Sequence, residues 1–296
     1  MAQESREKEN REKEIKSIWS DYHFLFRMLV GVGVAVFGLL VGRFMYTQDE
    51  AWEYGVNVFT GLISTAATVL ILDELNRRRL KKEVQDSLKI QLVDDAASLS
   101  NEIAKNAVHQ LRRKGRLVGE ASLLKGAYLW HANLQDADLT DANLQKAYLS
   151  FGNLEGAYLL RTNLEEAQLV GANLQKAYLS GANLKAAILQ GADLHEAYLE
   201  GTNLRKANLS STRLQGAHLA YANLEEAFLA TAELQGANLA FANLKEVKLG
   251  QTKFDGNTVL PDGSPWTPET DMERFADPQH PNFWQPEWIK RSEDKI

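Results

Sequence analysis

A catalytic or metal centre in this 296-residue chain would have to be built from a short inventory. His131, His195 and His218 share no metal-ligand spacing. The acids Glu165, Glu166, Glu225 and Glu226 come as neighbouring pairs at positions read below as outward-facing. That placement suits solvated charge, not proton transfer. The chain has no cysteine, which removes disulfides, thiolate ligands and a thiol nucleophile. No glycine-rich phosphate loop and no nucleophile elbow is present. The expectation is a protein that is not an enzyme and holds no metal and no cofactor. A net charge of -6 also argues against nucleic-acid binding, which needs a basic face.

The residues that dominate the second half are leucines. From Leu124 to Leu249 every fifth residue is leucine, and Phe254 continues the register. Two residues before most of them stands alanine, as at Ala127, Ala132, Ala137, Ala142 and Ala147. Gly152, Thr162, Thr202, Thr212 and Val247 are the main departures. A spacing of five fits no straight element. On an α-helix five steps overshoot a full turn by about 140°, so the leucines would spiral around it. On a flat strand an odd spacing sends alternate leucines to water. The chain must therefore turn a corner in every unit, and four corners close a coil of twenty residues. The ladder of Leu124, Leu129, Leu134, Leu139, Leu144, Leu149 and Leu154, running on to Leu249 and Phe254, is the candidate core. At the spacing of paired strands, nearly seven coils make a rod roughly 30 Å long.

Units such as Gly171-Ala172-Asn173-Leu174-Gln175 and Gly181-Ala182-Asn183-Leu184-Lys185 resemble the pentapeptide-repeat family, whose motif is A(D/N)LxX. The resemblance covers residues 121–255. It implies a mainly β fold, a right-handed quadrilateral β-helix, and the handedness comes from it alone. The tail around Leu260-Pro261-Asp262-Gly263 also looks like tails of bacterial members. Some family members resemble duplex DNA in shape and charge and bind topoisomerases. Residues 121–255 hold 14 acids and 11 bases, a net of three negative charges, too few for a phosphate-like lattice.

A coil of twenty stacks residues twenty apart on one side. The residue before each core leucine points outward, and sorting these by twenties gives a column of Tyr158, Tyr178, Tyr198 and His218. A second holds Tyr128, Tyr148, Gln168 and Ile188. The first column is the candidate face for an unknown protein partner, since tyrosines supply contact area at low entropic cost. Stacked tyrosines that only stabilise neighbouring coils are the competing reading.

The first third has another character. Residues 1–22 mix acids and bases as a solvated amphipathic helix does. Within 23–75, uncharged runs cover Met28 to Gly42 and Gly55 to Leu72, with Arg and Lys outside both and none in the link. That pattern predicts a two-helix transmembrane hairpin in a lipid bilayer, an integral membrane protein of two spans with both termini cytoplasmic. Within 76–120, the spacing of Leu80, Val84, Leu88, Leu92, Leu99, Ile103 and Leu111 predicts one amphipathic helix from Asn76 to Arg116. Its apolar stripe needs either the first coil or a second copy, pairing as a homo-oligomer through residues 80–111. The solenoid then occupies 121–260 and a capping tail 261–296. An open solenoid end must be blunted, and Trp266 and Phe275 are the candidate caps. Phe283 to Trp288 could instead be a docking motif.

These readings combine into a membrane-anchored, non-catalytic scaffold presenting a cytoplasmic rod. The alternatives are a DNA mimic that binds a topoisomerase or another nucleic-acid enzyme, and an oligomeric membrane sensor or channel. The last lacks any charge within its spans to line an ion path.

Overall fold

Every unit of the repeat turns in the same way. In the first full example the Leu129 carbonyl accepts from the Ala132 amide at 3.2 Å, and His131 between them has φ 57°. A positive φ at the third residue of a hydrogen-bonded turn is the type II geometry. Glycine fills that position at Gly171, Gly181 and Gly191, but 18 non-glycine residues also adopt it. Each such residue costs about 1 kcal/mol, so the stacked coils must hold it there.

The computed structural model describes residues 51–293, with side chains from 71 to 290. Parallel bridges join each outward residue to the one twenty positions on, such as Tyr158 to Tyr178 and Tyr178 to Tyr198. The coil is thus twenty residues and four-sided. The Tyr148 amide donates to the Ala127 carbonyl at 2.9 Å, and the Leu129 amide to the Tyr148 carbonyl at 2.8 Å. The same pair of bonds recurs on each side. Leucines from Leu124 to Leu244 and the alanines two residues earlier fill the interior. Leu249 and Phe254 end the ladder partly buried. At inward positions, Thr162 donates to the Leu139 carbonyl of the preceding coil at 2.7 Å and Thr202 to the Leu179 carbonyl at 3.0 Å, whereas Thr212 bonds the Leu209 carbonyl of its own turn.

Helix α1 spans Ala51–Ala96 and α2 spans Asn101–Arg113. The single helix expected from Asn76 to Arg116 is therefore broken at residues 97–100. Ser98 and Ser100 compete for backbone bonds; the Ser98 hydroxyl accepts from the Ser100 amide, and the Ser98 carbonyl accepts from Asn133. The break divides the apolar stripe. Leu92, Ala96, Ala104, Val108 and Leu111 join the core that begins at Leu124, whereas Leu99 and Ile103 are exposed. Residues 92–111 thus spend their apolar side on the first coil. Asn143 donates to the Leu117 carbonyl at 2.9 Å, and Arg112 reaches the Asp138 and Thr140 carbonyls. These bonds cover the first coil's open backbone edge.

Among the described residues no helix is long and apolar enough to cross a membrane. This overturns the expected integral membrane placement with two spans and cytoplasmic termini. The Gly55–Leu72 run is the opening of the 46-residue α1. Its sequence is interrupted by Asn57, Thr60, Ser64, Thr65 and Thr68, and charges follow from Asp73 onward. The other expected span, Met28–Gly42, and the amphipathic helix over 1–22 lie outside the described residues. The chain divides into two units, residues 1–82 and 83–296. In the first, Asp73 and Glu74 pair with Arg77 and Arg78 one helical turn on.

Beyond the last leucines the chain keeps stacking before it leaves the coil. The Leu239 amide donates to the Val259 carbonyl and Phe241 to the Pro261 carbonyl. Val259 then pairs antiparallel with Pro265. Trp266 stacks on Phe254 with centroids 6.0 Å apart, and Phe275 in the short helix α3, Glu273–Ala276, is fully buried. Phe275 belongs to the same apolar cluster as the leucine ladder, and Trp266 packs against it. Helix α4, Glu287–Glu293, follows.

Candidate functional site

The unit's chemistry explains what each outward column can do. An asparagine before the core leucine accepts, through Oδ1, from the amide two residues on, as Asn173 does from Gln175 at 3.1 Å. Its Nδ2 then donates to the asparagine one coil earlier: Asn173 to Asn153 at 3.1 Å, Asn203 to Asn183 at 3.0 Å. Both ends of the amide are spent inside the rod. The Asn163 and Asn153 columns are therefore structural.

Tyrosine in the same position leaves that job undone and projects a ring. Tyr158 and Tyr178 stack at 5.0 Å, Tyr178 and Tyr198 at 4.9 Å, and Tyr198 and His218 at 4.9 Å. The structure thus brings the four candidate face residues into one line along a single side. They remain partly exposed. Asp138 opens this column, and Asn238 and then Val259 continue it beyond His218. The turns flanking it carry Asp136, Asp141, Glu155, Glu196 and Glu200 against Arg161 and Lys176. Asp141 is held below its ordinary pKa by its bond to Arg161 and by that residue's charge.

The acids set apart in the sequence are paired. Glu165 meets Lys185, Glu166 meets Lys146, Glu225 meets Arg205 and Glu226 meets Lys206, each between adjacent coils. Glu233, bonded by Lys253, likewise has a lowered pKa. A carboxylate whose pKa is lowered, as that of Glu233 is, suits fixed charge and not proton transfer near neutral pH. The histidines lie apart: His131 stacks on Phe151, His195 adjoins Glu196, and His218 closes the tyrosine stack. Among the described residues no group of acids and histidines could hold a metal ion.

The structure adds residues that the sequence columns missed. Trp130, Phe151 and Phe228 are exposed on the side that carries Tyr128, Tyr148 and Ile188. Trp130 and Phe151 are turn residues, outside the two columns formed by the residue before each leucine. Sorting the turns as well would have found them.

A family model described as pentapeptide repeats matches eight copies, over residues 122–159, 153–185, 177–216 and 212–251. The chain belongs to the pentapeptide-repeat family. Among solved structures this pentapeptide-repeat protein is similar to HetL, involved in heterocyst differentiation regulation in the cyanobacterium Nostoc sp. strain PCC 7120. Identity is 31% over 48% of this chain and 86% of HetL, with a TM-score of 0.23. It is also similar to Rfr23 from the cyanobacterium Cyanothece 51142, at 33% identity over 36% of this chain and 87% of that one, TM-score 0.17. QnrB1, a plasmid-mediated fluoroquinolone resistance protein, matches at 16% identity over 45% of this chain and 84% of its own, TM-score 0.26. The search of curated proteins finds no match. Members of the pentapeptide-repeat family are generally non-enzymatic structural or interaction proteins.

Proposed function

We propose that this pentapeptide-repeat protein is a non-catalytic interaction scaffold and that the Tyr158, Tyr178, Tyr198 and His218 column is its docking face. One observation carries the reading: four rings are held in a row, prearranged by stacking and open to solvent along one flat side. Prearranged rings lose little freedom on binding, which is where much of the cost of association lies. The surplus of acids in the flanking turns favours a partner segment that carries Lys or Arg. A DNA-like surface is not favoured, because acids on the rod face bases one coil away, as in Asp141–Arg161 and Glu233–Lys253.

The test replaces Tyr158, Tyr178 and Tyr198 with asparagine, which already occupies the equivalent position in other columns and makes its own bonds there. The variant keeps the rod folded, as circular dichroism would report. Proximity labelling from the intact protein should then lose specific neighbours. A folded triple variant whose labelled neighbours match the parent's would overturn the reading and leave stacking as the tyrosines' whole role.

A further inference from the structure

The side opposite the Tyr178 column differs from the other three in charge. From Tyr128 to Thr231, through six coils, neither its outward column nor the turn that follows contains Asp, Glu, Lys or Arg. Each other side, taken with its following turn, contains several. The side is also the most apolar exposed part of the rod. Tyr128 is 70% exposed, Trp130 56%, Phe151 59%, Ile188 38% and Phe228 49%. An apolar strip of this extent, bordered along one edge by the Lys146–Glu166 and Lys206–Glu226 pairs, is the pattern of an association surface.

Its rings are already fixed. Tyr128 and Tyr148 stack at 4.6 Å, the Trp130 ring meets Tyr148 edge-on, and Phe151 lies over Gly171. A β-carbon at residue 171 would come within 2.8 Å of the Phe151 ring, so glycine there lets the ring lie flat along the side.

We infer that this side pairs with the same side of a second copy of the chain. Three considerations select that occupant. An uncharged strip offers no electrostatic code for a charged partner, whereas its own copy needs none to meet it without repulsion. Two identical rods share a coil spacing of about 4.8 Å, so side-chain rows stay in register along the whole contact. An α-helix, with its pitch of about 5.4 Å, drifts out of step. The area is also sufficient. Large side chains bury about 150–250 Å² each, and five that are roughly half exposed supply about 500 Å² per copy. A pair then approaches the roughly 1,000 Å² at which specific interfaces begin. Packing like side on like side about a two-fold axis makes the contact closed, so association stops at a dimer.

The test is sedimentation of the full chain over about 1–100 µM, the range expected for an interface of this size. The parent should shift from monomer to dimer. The double variant Trp130→Glu, Phe151→Glu should remain monomeric with unchanged circular dichroism. Both changes are compatible with the fold, because glutamate already stands at the matching turn positions, Glu155 for residue 130 and Glu166, with φ 58°, for residue 151. Tyr178→Asn, on the opposite side, should dimerise as the parent does, which separates this inference from the docking role of that column. The chain's lack of cysteine allows a positional check. Gln190→Cys should form a covalent dimer with a short bis-maleimide, and Glu196→Cys, on the far edge, should not. A parent that stays monomeric, a double variant that still dimerises, or equal cross-linking at both cysteines would each overturn the inference.

Discussion

Tyr178 and Tyr198 stack with ring centroids 4.9 Å apart and planes 2° from parallel. Each ring spends its faces on its neighbours in the column, so solvent meets ring edges and hydroxyl groups. This decides what the column can recognise. Cation–π contact needs a ring face, and within the stack none is open. A partner would instead accept from, or donate to, a row of hydroxyls at roughly the coil spacing.

The stack is also worth something to the rod, which gives a first prediction. Tyr178→Ala removes the contacts with both Tyr158 and Tyr198, each worth about 0.5–1.5 kcal/mol for an aromatic pair. The urea midpoint should fall accordingly. Tyr178→Asn should fall less, because asparagine restores a bond to the Ser180 amide of the kind Asn173 makes to Gln175. Equal loss in the two variants would show that this side-chain bond contributes nothing.

Left-handed turn positions give a second. Ala186 has φ 55° and no long side chain whose loss would confuse the comparison. Ala186→Gly should stabilise the rod by about 1 kcal/mol by relieving the clash between β-carbon and carbonyl. Equilibrium unfolding in urea reads this directly, and the gain should appear as a higher midpoint with an unchanged slope.

The core gives a third. Leu184 is fully buried in mid-rod, so Leu184→Ala should cost about 2–5 kcal/mol. Ala187, also fully buried, faces the same narrow interior, and Ala187→Leu should cost about 1–3 kcal/mol or more through overpacking. If both changes were neutral in thermal melts, the interior would have to be looser than a close-packed column of one leucine per side.

These residues also mark what the sequence made legible. A period of five, with a small residue two places earlier, allows only a cornered coil, so the ladder from Leu124 to Phe254 and the Tyr158–His218 column could be placed by arithmetic. The asparagine bonds could not, because the motif shows the residue but not which amide its oxygen reaches. Nor could the α1–α2 break, since serines at 98 and 100 are tolerated in many helices and act here by giving a carbonyl to Asn133. The apolar run from Gly55, with basic residues beyond it, has the pattern of a span, yet it opens a helix that continues through a highly charged segment. Trp130 and Phe151 lie outside the columns formed by the residue before each leucine, at turn positions that in this fold line the edges of the sides.

The tail gives the last prediction, a dependence on acid. Asp262 is partly buried, which by itself raises its pKa, but the Ser264 hydroxyl and amide and the Arg274 charge outweigh that and hold it below its ordinary value of 3.8. Arg274 in turn lies 4.4 Å over the buried Phe275 ring, so this carboxylate ties the tail to its own anchor. A group whose pKa is depressed by folding stabilises the fold above its unfolded value, and that contribution disappears as pH falls through the folded value. The tail should therefore stay docked near neutral pH and loosen below about pH 4, a window set by the unfolded carboxyl. Fluorescence from Trp266, Trp284 and Trp288 should change before the solenoid's circular dichroism does. Asp262→Asn should lower the acid sensitivity of that signal and weaken tail docking at neutral pH. An acid transition of the same size and midpoint in Asp262→Asn would assign the loosening to other carboxylates.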